Sequence, residues 1–286
     1  MNVRMEPPPR RARRARVIAL HCSGAGAGQW RCLGETLGGG YEVLAPEHYG
    51  CESTGPWTGR HAFTLADEAV RAIELIDMSE ERVHLAGHSY GGGVALHVAL
   101  ARPDRIASLA LYEPSAFHLL RQMGGAGAAA WAEITGVAQR LGEAVAAGDY
   151  RAGIAGFVDY WNGPGAWNAL PPERQDTLIR WAPKGPLDFH ALFHEATPLY
   201  AYRTLEFPVL ILRGERAPAP TRVIAESLPG LLPDSRLIIV GDAGHMGPLT
   251  HASEVSALIA GHIGAAGSRN SPATAAPDLP VRAPAA

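Results

Sequence analysis

Short apolar runs alternate with helical patterns along most of this chain, and this alternation limits its possible folds more than any other feature. Six runs have the length of strands and are bounded mainly by glycine or proline: 17–20, 41–45, 83–87, 106–112, 209–212 and 237–240. Apolar residues recur at helical spacing between them, as in 65–76, where Thr64 and Asp67 fit a variant of the capping box. This pattern predicts an α/β fold with a doubly wound, mainly parallel sheet of about six strands.

One long segment interrupts the alternation. Between residues 115 and 202 helical patterns dominate, and no run is suited to a buried strand. We therefore predict a helical lid (115–202) inserted over the carboxyl edge of an α/β core formed by 17–114 and 203–266. The tryptophans of the insertion either fill its own interior or line an apolar pocket, and we select Trp161 and Trp167 as candidate substrate contacts.

The two ends of the chain differ from the core in composition. Residues 1–16 carry six arginines and one glutamate, a local charge of +5; because the whole chain carries −3, subtracting +5 leaves −8 for the remainder. We predict a disordered basic arm over 1–16 and a disordered Ala/Pro-rich tail over 267–286. The acidic body argues against binding of nucleic acid, and the role of the arm stays open.

Composition also argues against several other classes of protein. The absence of a run of about 18 apolar residues argues against a membrane span. Three cysteines without a C-x-x-C pair favour neither a disulfide framework nor a zinc finger. Residues 17–28 are too polar and glycine-rich for the apolar part of a signal peptide. We expect a cytoplasmic protein with a small-molecule substrate, no metal and no other cofactor; its oligomeric state cannot be predicted.

The strongest local signal is the G-x-S-x-G sequence from Gly87 to Gly91. It directly follows a predicted strand and directly precedes a predicted helix, which is the context that a nucleophile elbow requires. On such a turn the serine hydroxyl projects into the cleft at the positive end of a helix dipole. We therefore predict that Ser89 is a nucleophile; the alternative is a glycine-rich turn with an incidental serine.

A serine hydroxyl needs a base, and His245 is the histidine best placed to supply one. It lies in a glycine-punctuated loop after the last predicted strand, at the same sheet edge as Ser89, and an imidazole accepts and returns protons near neutral pH. We predict that the backbone N–H groups of Ser23 and Tyr90 form an oxyanion hole. Phosphate binding by the same loop is disfavoured because Gln29 breaks the G-x-G-x-x-G spacing.

Together these motifs resemble the α/β-hydrolase superfamily. The resemblance rests on His-Cys-Ser-Gly at 21–24 with Trp30, Gly-His-Ser-Tyr-Gly-Gly at 87–92 and Gly-Asp-Ala-Gly-His at 241–245, and it covers roughly residues 17–265. More narrowly, the chain looks like the single-domain, lidded hydrolases that include esterases, C–C bond hydrolases and cofactor-free haloperoxidase-like enzymes. Members usually have a strand pair before the first strand predicted here, but residues 1–16, which precede that strand in this chain, are rich in proline and arginine. We therefore expect a sheet that lacks that pair.

The resemblance also implies a carboxylate that orients the histidine and stabilises its protonated form. Relatives commonly place an aspartate in a G-x-x-D turn after the strand here predicted at 209–212, but Ala217 occupies that position. Some members carry the acid after the preceding strand, where this chain has Glu113. We choose Glu113 as the third catalytic residue and keep Glu215 as the second candidate.

The sequence thus predicts a serine-dependent hydrolase that cleaves an ester or related acyl bond of a small, largely apolar substrate through an acyl-enzyme. One alternative keeps the fold and changes the chemistry to C–C bond hydrolysis, a lyase reaction or a haloperoxidase-like reaction. The other is a non-catalytic ligand-binding protein on a hydrolase fold, which the missing aspartate at Ala217 leaves open.

Overall fold

A computed structural model describes residues 14–270, so most of the predicted arm (1–16) and tail (267–286) lies outside the described residues. Two predicted boundaries shift. The first strand begins at Ala15, inside the predicted arm, and the last helix continues to Asn270, the last described residue, inside the predicted tail. Regular secondary structure therefore extends slightly further at both ends of the described chain than the composition indicates.

Six parallel strands form one sheet in the described part of the chain. Their bounds are Ala15–Leu20 (β1), Tyr41–Leu44 (β2), Val83–His88 (β3), Ile106–Tyr112 (β4), Val209–Gly214 (β5) and Ser235–Val240 (β6). The order β2-β1-β3-β4-β5-β6, with every neighbouring pair parallel, confirms the predicted doubly wound sheet. Ala15 pairs with Tyr41 through the backbone, which needs no apolar side chain and explains why composition places this boundary too late.

Helices cover both faces of the sheet. The described α-helices are Arg31–Leu37 (α1), Leu65–Asp77 (α2), Tyr90–Ala101 (α3), Gly124–Ala146 (α4), Tyr150–Asn162 (α5), Ala166–Ala169 (α6), Pro172–Trp181 (α7), Gly185–Phe193 (α8), Ala219–Ser227 (α9), Gly247–Thr250 (α10) and Ala252–Asn270 (α11). None of them combines the length and apolar character needed to cross a bilayer. The predicted capping box starts α2, since Thr64 and Asp67 each accept a hydrogen bond from the other's backbone N–H.

The core consists of two apolar layers. Helices α1 and α11 cover one face of the sheet, and α2, α3 and α9 cover the other. The central strands β3 and β4 are buried at every position because both of their faces are covered, which explains why apolar residues predominate in them; His84, His88 and Ser108 are polar residues buried among these. Each fully buried large aliphatic side chain, such as Ile18 and Leu109, stabilises the fold by about 1.5–3 kcal/mol.

Residues 115–202, here called the helical insertion, contain α4 to α8 and no strand. The chain enters β5 at its amino end, because β5 runs parallel to β4, but the insertion leaves the core directly after β4, at the carboxyl edge of the sheet. This edge also receives the loops after β1, β3, β5 and β6. Residues far apart in the sequence therefore meet here, between the sheet and the insertion.

Candidate active site

The turn after β3 has the strained geometry of a nucleophile elbow. Ser89 has a φ of 54°, in a region that non-glycine residues rarely adopt, and α3 begins at the next residue. A Cβ on Gly91 would collide with the carbonyl oxygen of Leu20, and one on Gly87 would collide with the backbone of Gly91. The spacing of the glycines is therefore needed for strand and helix to approach each other, and strain of this kind costs on the order of 1–3 kcal/mol.

Ser89, His245 and Glu113 form a hydrogen-bonded row. The Nε2 atom of His245 lies 2.8 Å from Ser89 Oγ, and its Nδ1 atom lies 2.6 Å from Glu113 Oε2. All three residues are buried, at 6%, 2% and 0% exposure respectively. Because the carboxylate accepts a hydrogen bond from Nδ1–H, Nε2 is left free to accept the proton of the serine hydroxyl.

Glu113 is held as a buried carboxylate. Its Oε1 accepts a hydrogen bond from the N–H of Gly214 at 2.9 Å, and its Oε2 accepts one from Thr221 Oγ1 at 2.7 Å. Burial by itself would raise the pKa of Glu113, but the hydrogen bonds and the charge of His245 outweigh it and lower that pKa below its ordinary value. The group is therefore ionised at neutral pH, as stabilisation of a protonated imidazole requires.

The second carboxylate candidate lies elsewhere. Glu215 is exposed, and its Oε2 accepts a hydrogen bond from the N–H of Asp242 at 3.0 Å. Ala217, which occupies the position of the usual aspartate, is buried and offers no charge. Of the two carboxylates selected from the sequence, the structure brings Glu113 to His245 and leaves Glu215 in a surface turn.

The two residues predicted to donate to an oxyanion flank Ser89. Tyr90 is the first residue of α3, where backbone N–H groups have no partner within the helix. Ser23 lies in the loop after β1 and lines the same cavity as Ser89. Their side chains point into the protein instead: Ser23 Oγ donates to Asp188 at 2.6 Å, and Tyr90 Oη donates to Glu68 at 2.7 Å.

A cavity of about 210 Å³ opens above Ser89 and His245. Its walls are mainly apolar and come from the insertion and from the loop after β6; they include Phe157, Val158, Leu170, Leu178 and Leu249. Arg174 is the single permanently charged residue among those that line it. The space suits a small apolar group next to the serine hydroxyl.

The two tryptophans selected from the sequence have different places. Trp161 lines the cavity, and its indole stacks on the imidazole of His245 with ring centres 4.1 Å apart. Trp167 does not line the cavity; it is buried in the insertion, with the guanidinium of Arg151 5.7 Å from its ring centre. The prediction of Trp167 as a substrate contact is therefore not supported, because the packing of α6 against α5 turns this residue into the insertion's own core.

Sequence reasoning missed a histidine that contacts the backbone of His245. His88, the variable residue before Ser89, has its Nε2 2.8 Å from the carbonyl oxygen of His245. Burial first, and then the neighbouring His245, lower the pKa of His88 well below its ordinary value, so it donates this hydrogen bond as a neutral ring. The variable position of the motif carries no chemical constraint, so nothing in the sequence marks it.

A buried charged cluster was also missed. Glu68 of α2, Lys184 just before α8 and Asp188 within α8 pair with one another behind the loop that carries Ser23. A single charged residue in a helical pattern usually indicates a solvated face, so the sequence offered no signal of their burial.

Comparison with known proteins agrees with the fold. Residues 15–252 match a family model described as the alpha/beta hydrolase fold. Lipase LipV of Mycobacterium tuberculosis is 33% identical over 35% of this chain and 38% of its own length. A 2-hydroxy-6-oxo-6-phenylhexa-2,4-dienoate hydrolase of Comamonas testosteroni is 33% identical over 34% and 36%.

These curated relatives are matched over only about a third of their length. Solved structures are matched almost throughout: a hydrolase from Pseudomonas aeruginosa superposes with a TM-score of 0.70, covering 88% of this chain and 90% of its own. Its sequence identity is 22%, so this likeness concerns the fold.

Proposed function

Because the chain belongs to the α/β-hydrolase family, we propose that it is a serine hydrolase that cleaves an ester or related acyl bond of a small, largely apolar substrate. The observation that carries this proposal is the row of contacts from Glu113 through His245 to Ser89, at 2.6 and 2.8 Å. A hydroxyl, an imidazole and a buried carboxylate at these distances are the parts that acyl transfer through serine needs.

Acylation begins at Ser89. Its Oγ attacks the acyl carbon while His245 Nε2 takes the hydroxyl proton, and Glu113 stabilises the imidazolium that forms. The acyl oxygen becomes negatively charged and binds the N–H groups of Ser23 and Tyr90. The tetrahedral intermediate then collapses: the bond to the leaving group breaks, that group takes the proton from Nε2, and the acyl group stays bound to the serine.

Deacylation repeats the sequence with water. His245 Nε2 takes a proton from a water molecule as its oxygen attacks the acyl carbon, and the same two N–H groups hold the new oxyanion. Collapse of this intermediate breaks the bond to Ser89, returns the proton to Oγ and releases a carboxylic acid. Neither half of the reaction needs an oxidant, a reductant or a metal, since atoms and charges balance with water alone.

The size and lining of the cavity favour a small acyl group as the part of the substrate that the protein recognises. Its volume is about 210 Å³, its walls are mainly apolar, and Trp161 covers one face of the base. The helical insertion would act as the lid that forms these walls and limits the water around the reacting atoms. We expect short- to medium-chain or aromatic acyl esters to be turned over faster than long-chain ones.

Ser89→Ala tests the proposal. We expect hydrolysis of p-nitrophenyl acetate and butyrate to fall by roughly 10⁴- to 10⁶-fold, and labelling by a fluorophosphonate probe to disappear. Peptide mapping should place the probe of the unmodified chain on Ser89. The matched control is Ser108→Ala, which removes a buried hydroxyl from β4 that bonds His84 instead. Retained turnover in Ser89→Ala, or equal losses in both variants, would refute the assignment.

C–C bond hydrolysis is the second candidate, favoured by one feature of the cavity. Relatives named as dienoate hydrolases match about a third of the chain, and Arg174 gives the cavity a cation that can pair with a carboxylate. Assay of a 2-hydroxy-6-oxo-dienoate beside the ester panel separates the two reactions. A chain that turns over neither substrate and takes up no probe would instead be a ligand-binding protein on this fold.

A further inference from the structure

We propose that the buried cluster of Glu68, Lys184 and Asp188 positions both N–H groups of the oxyanion hole, so that the helical insertion takes part in transition-state stabilisation. This inference rests on the proposed function, because it assigns a role to residues behind the proposed oxyanion hole. It makes the three charged residues positioning residues, since they act through Ser23 and Tyr90 and do not touch the reacting atoms.

The cluster joins the core to the insertion. Lys184 Nζ lies 2.7 Å from Glu68 Oε2 and also pairs with Asp188, one turn further along the insertion. All three side chains are at most 5% exposed. The ammonium group lies 4.4 Å from the ring centre of Phe63 and 4.9 Å from that of Tyr90, so aromatic faces complete its surroundings.

Each carboxylate of the cluster holds one residue of the oxyanion hole. Asp188 Oδ2 accepts a hydrogen bond from Ser23 Oγ at 2.6 Å, and Glu68 Oε2 accepts one from Tyr90 Oη at 2.7 Å. Lys184 lies between the two carboxylates. The loop after β1 and the first turn of α3 are thus tied to a common anchor, which fixes how far apart their N–H groups lie.

The charges of the cluster favour positioning over stability as its role. Two carboxylates share one ammonium group, and the imidazole of His48 lies 3.4 Å from Glu68. Against the effect of burial, the imidazole of His48 and the pair with Lys184 lower the pKa of Glu68, whereas burial, and after it the charge of Glu68, raises the pKa of Asp188 above its ordinary value despite its own ion pair with Lys184. Buried ion pairs of this kind often add no net stability compared with apolar residues of the same volume.

Precise placement of the N–H groups matters to the reaction. A donor is useful when it lies where the oxyanion develops, and displacement by about 1 Å can cost on the order of 100-fold in rate. The loop has restraints of its own, since the Ala25 N–H donates to the Cys22 carbonyl oxygen at 3.2 Å and Arg174 donates to the Gly24 carbonyl oxygen at 2.7 Å. The hydroxyl bond to Asp188 adds a restraint on Ser23 itself, from a residue outside the loop.

Two variants test the arm of the anchor that holds Ser23, one from each partner of its hydrogen bond. Ser23→Ala keeps the backbone N–H and removes the bond to Asp188, while Asp188→Asn keeps the shape and weakens the link to Lys184. For both we expect kcat on p-nitrophenyl butyrate to fall by about 10- to 100-fold, with KM changed by less than about threefold. Ser23→Thr keeps the hydroxyl and should recover most of the loss.

A tetrahedral inhibitor separates positioning from a merely structural role. Phenylboronic acid forms a bond to the serine oxygen and places a boronate oxygen in the oxyanion hole. We expect its inhibition constant to rise in each variant by the same factor by which kcat/KM falls. A fall in kcat without this parallel rise would overturn the proposal, and so would unchanged kcat in both variants.

Glu195→Gln is the matched control. Like Asp188→Asn it neutralises a mostly buried carboxylate of the insertion, but Glu195 pairs with His97 of α3 at 2.9 Å and touches neither Ser23 nor Tyr90. We expect its kcat and boronate inhibition to stay within about threefold of the unmodified chain. Equal effects in the control and in Asp188→Asn would contradict the inference. If the unmodified chain neither hydrolyses esters nor takes up the fluorophosphonate, the proposed function itself fails.

Discussion

Two buried carboxylates contact different residues of the candidate site and belong to different parts of the molecule. Glu113 follows β4 of the core and contacts His245, whereas Asp188 belongs to the helical insertion and contacts Ser23 in the loop after β1. Glu113 is surrounded by hydrogen-bond donors that lower its pKa. Asp188 shares its cation with Glu68, and its pKa is raised, chiefly by burial.

The difference shows how the work is divided between core and insertion. In the proposed mechanism the core supplies the atoms that exchange protons, at the ends of strands whose positions the sheet determines. The insertion supplies part of the cavity's walls, and its Asp188 binds the hydroxyl of Ser23 in the loop after β1. Variants on the core side should therefore abolish the reaction, whereas variants on the insertion side should weaken it.

Glu113→Gln should have the largest effect among the variants that distinguish the two sides. An amide cannot stabilise the imidazolium of His245, and its NH₂ group favours the wrong tautomer, so we expect kcat to fall by roughly 10³- to 10⁴-fold. Glu215→Gln is the control, because that carboxylate lies in a surface turn. Steady-state kinetics on one p-nitrophenyl ester measures both. A larger loss in Glu215→Gln would move the acid to the turn after β5.

The site's position was predictable because it follows from sheet topology. Strand bounds were predicted to within a few residues, and parallel strands bring the loops after β3, β4 and β6 to one edge. The contacts of Ser89 with His245 and of His245 with Glu113 agree with that geometry. The catalytic roles of these residues stay predictions until the variants are measured.

The side-chain contacts of the insertion could not be predicted from the sequence in the same detail. Lys184 and Glu68 are separated by 116 positions, and neither lies in a motif that indicates a partner. Their pairing depends on how helices pack, which changes with small rotations that periodicity does not resolve. The same reason separates Trp161 from Trp167: both belong to an aromatic helical segment, and only packing decides which one reaches His245.

Trp161→Ala tests the insertion side of the comparison, and we expect a smaller effect on the reaction than for Glu113→Gln. Loss of the indole that stacks on His245 widens the apolar cavity, so we expect KM for p-nitrophenyl butyrate to rise by about tenfold with a smaller fall in kcat. Trp167→Ala is the matched control, since it removes an equally buried indole outside the cavity. It should lose stability by about 3–5 kcal/mol and keep its KM. Equal changes in KM would show that neither ring contacts the substrate.

The smallest expected effect is a difference in how the two carboxylates depend on pH. Glu113 has a pKa below its ordinary value of 4.5 in the folded chain, so its stabilisation is present above pH 4.5 and is lost as pH falls through the folded pKa. Asp188 has a pKa above its ordinary value of 3.8. Its contribution is therefore complete below pH 3.8 and is lost as pH rises through the folded pKa.

Urea unfolding between about pH 3.5 and 6.5 should therefore give slopes of opposite sign. The free energy of unfolding of the unmodified chain should exceed that of Glu113→Gln by an amount that grows as pH rises and then levels off above pH 4.5. Its excess over that of Asp188→Asn should shrink as pH rises through the folded pKa of Asp188. Each change amounts to about 1.4 kcal/mol for every pH unit by which the folded and unfolded pKa values differ. Slopes of the same sign would mean that Lys184 holds Asp188 ionised as firmly as His245 holds Glu113, and the division between core and insertion would then be geometric rather than electrostatic.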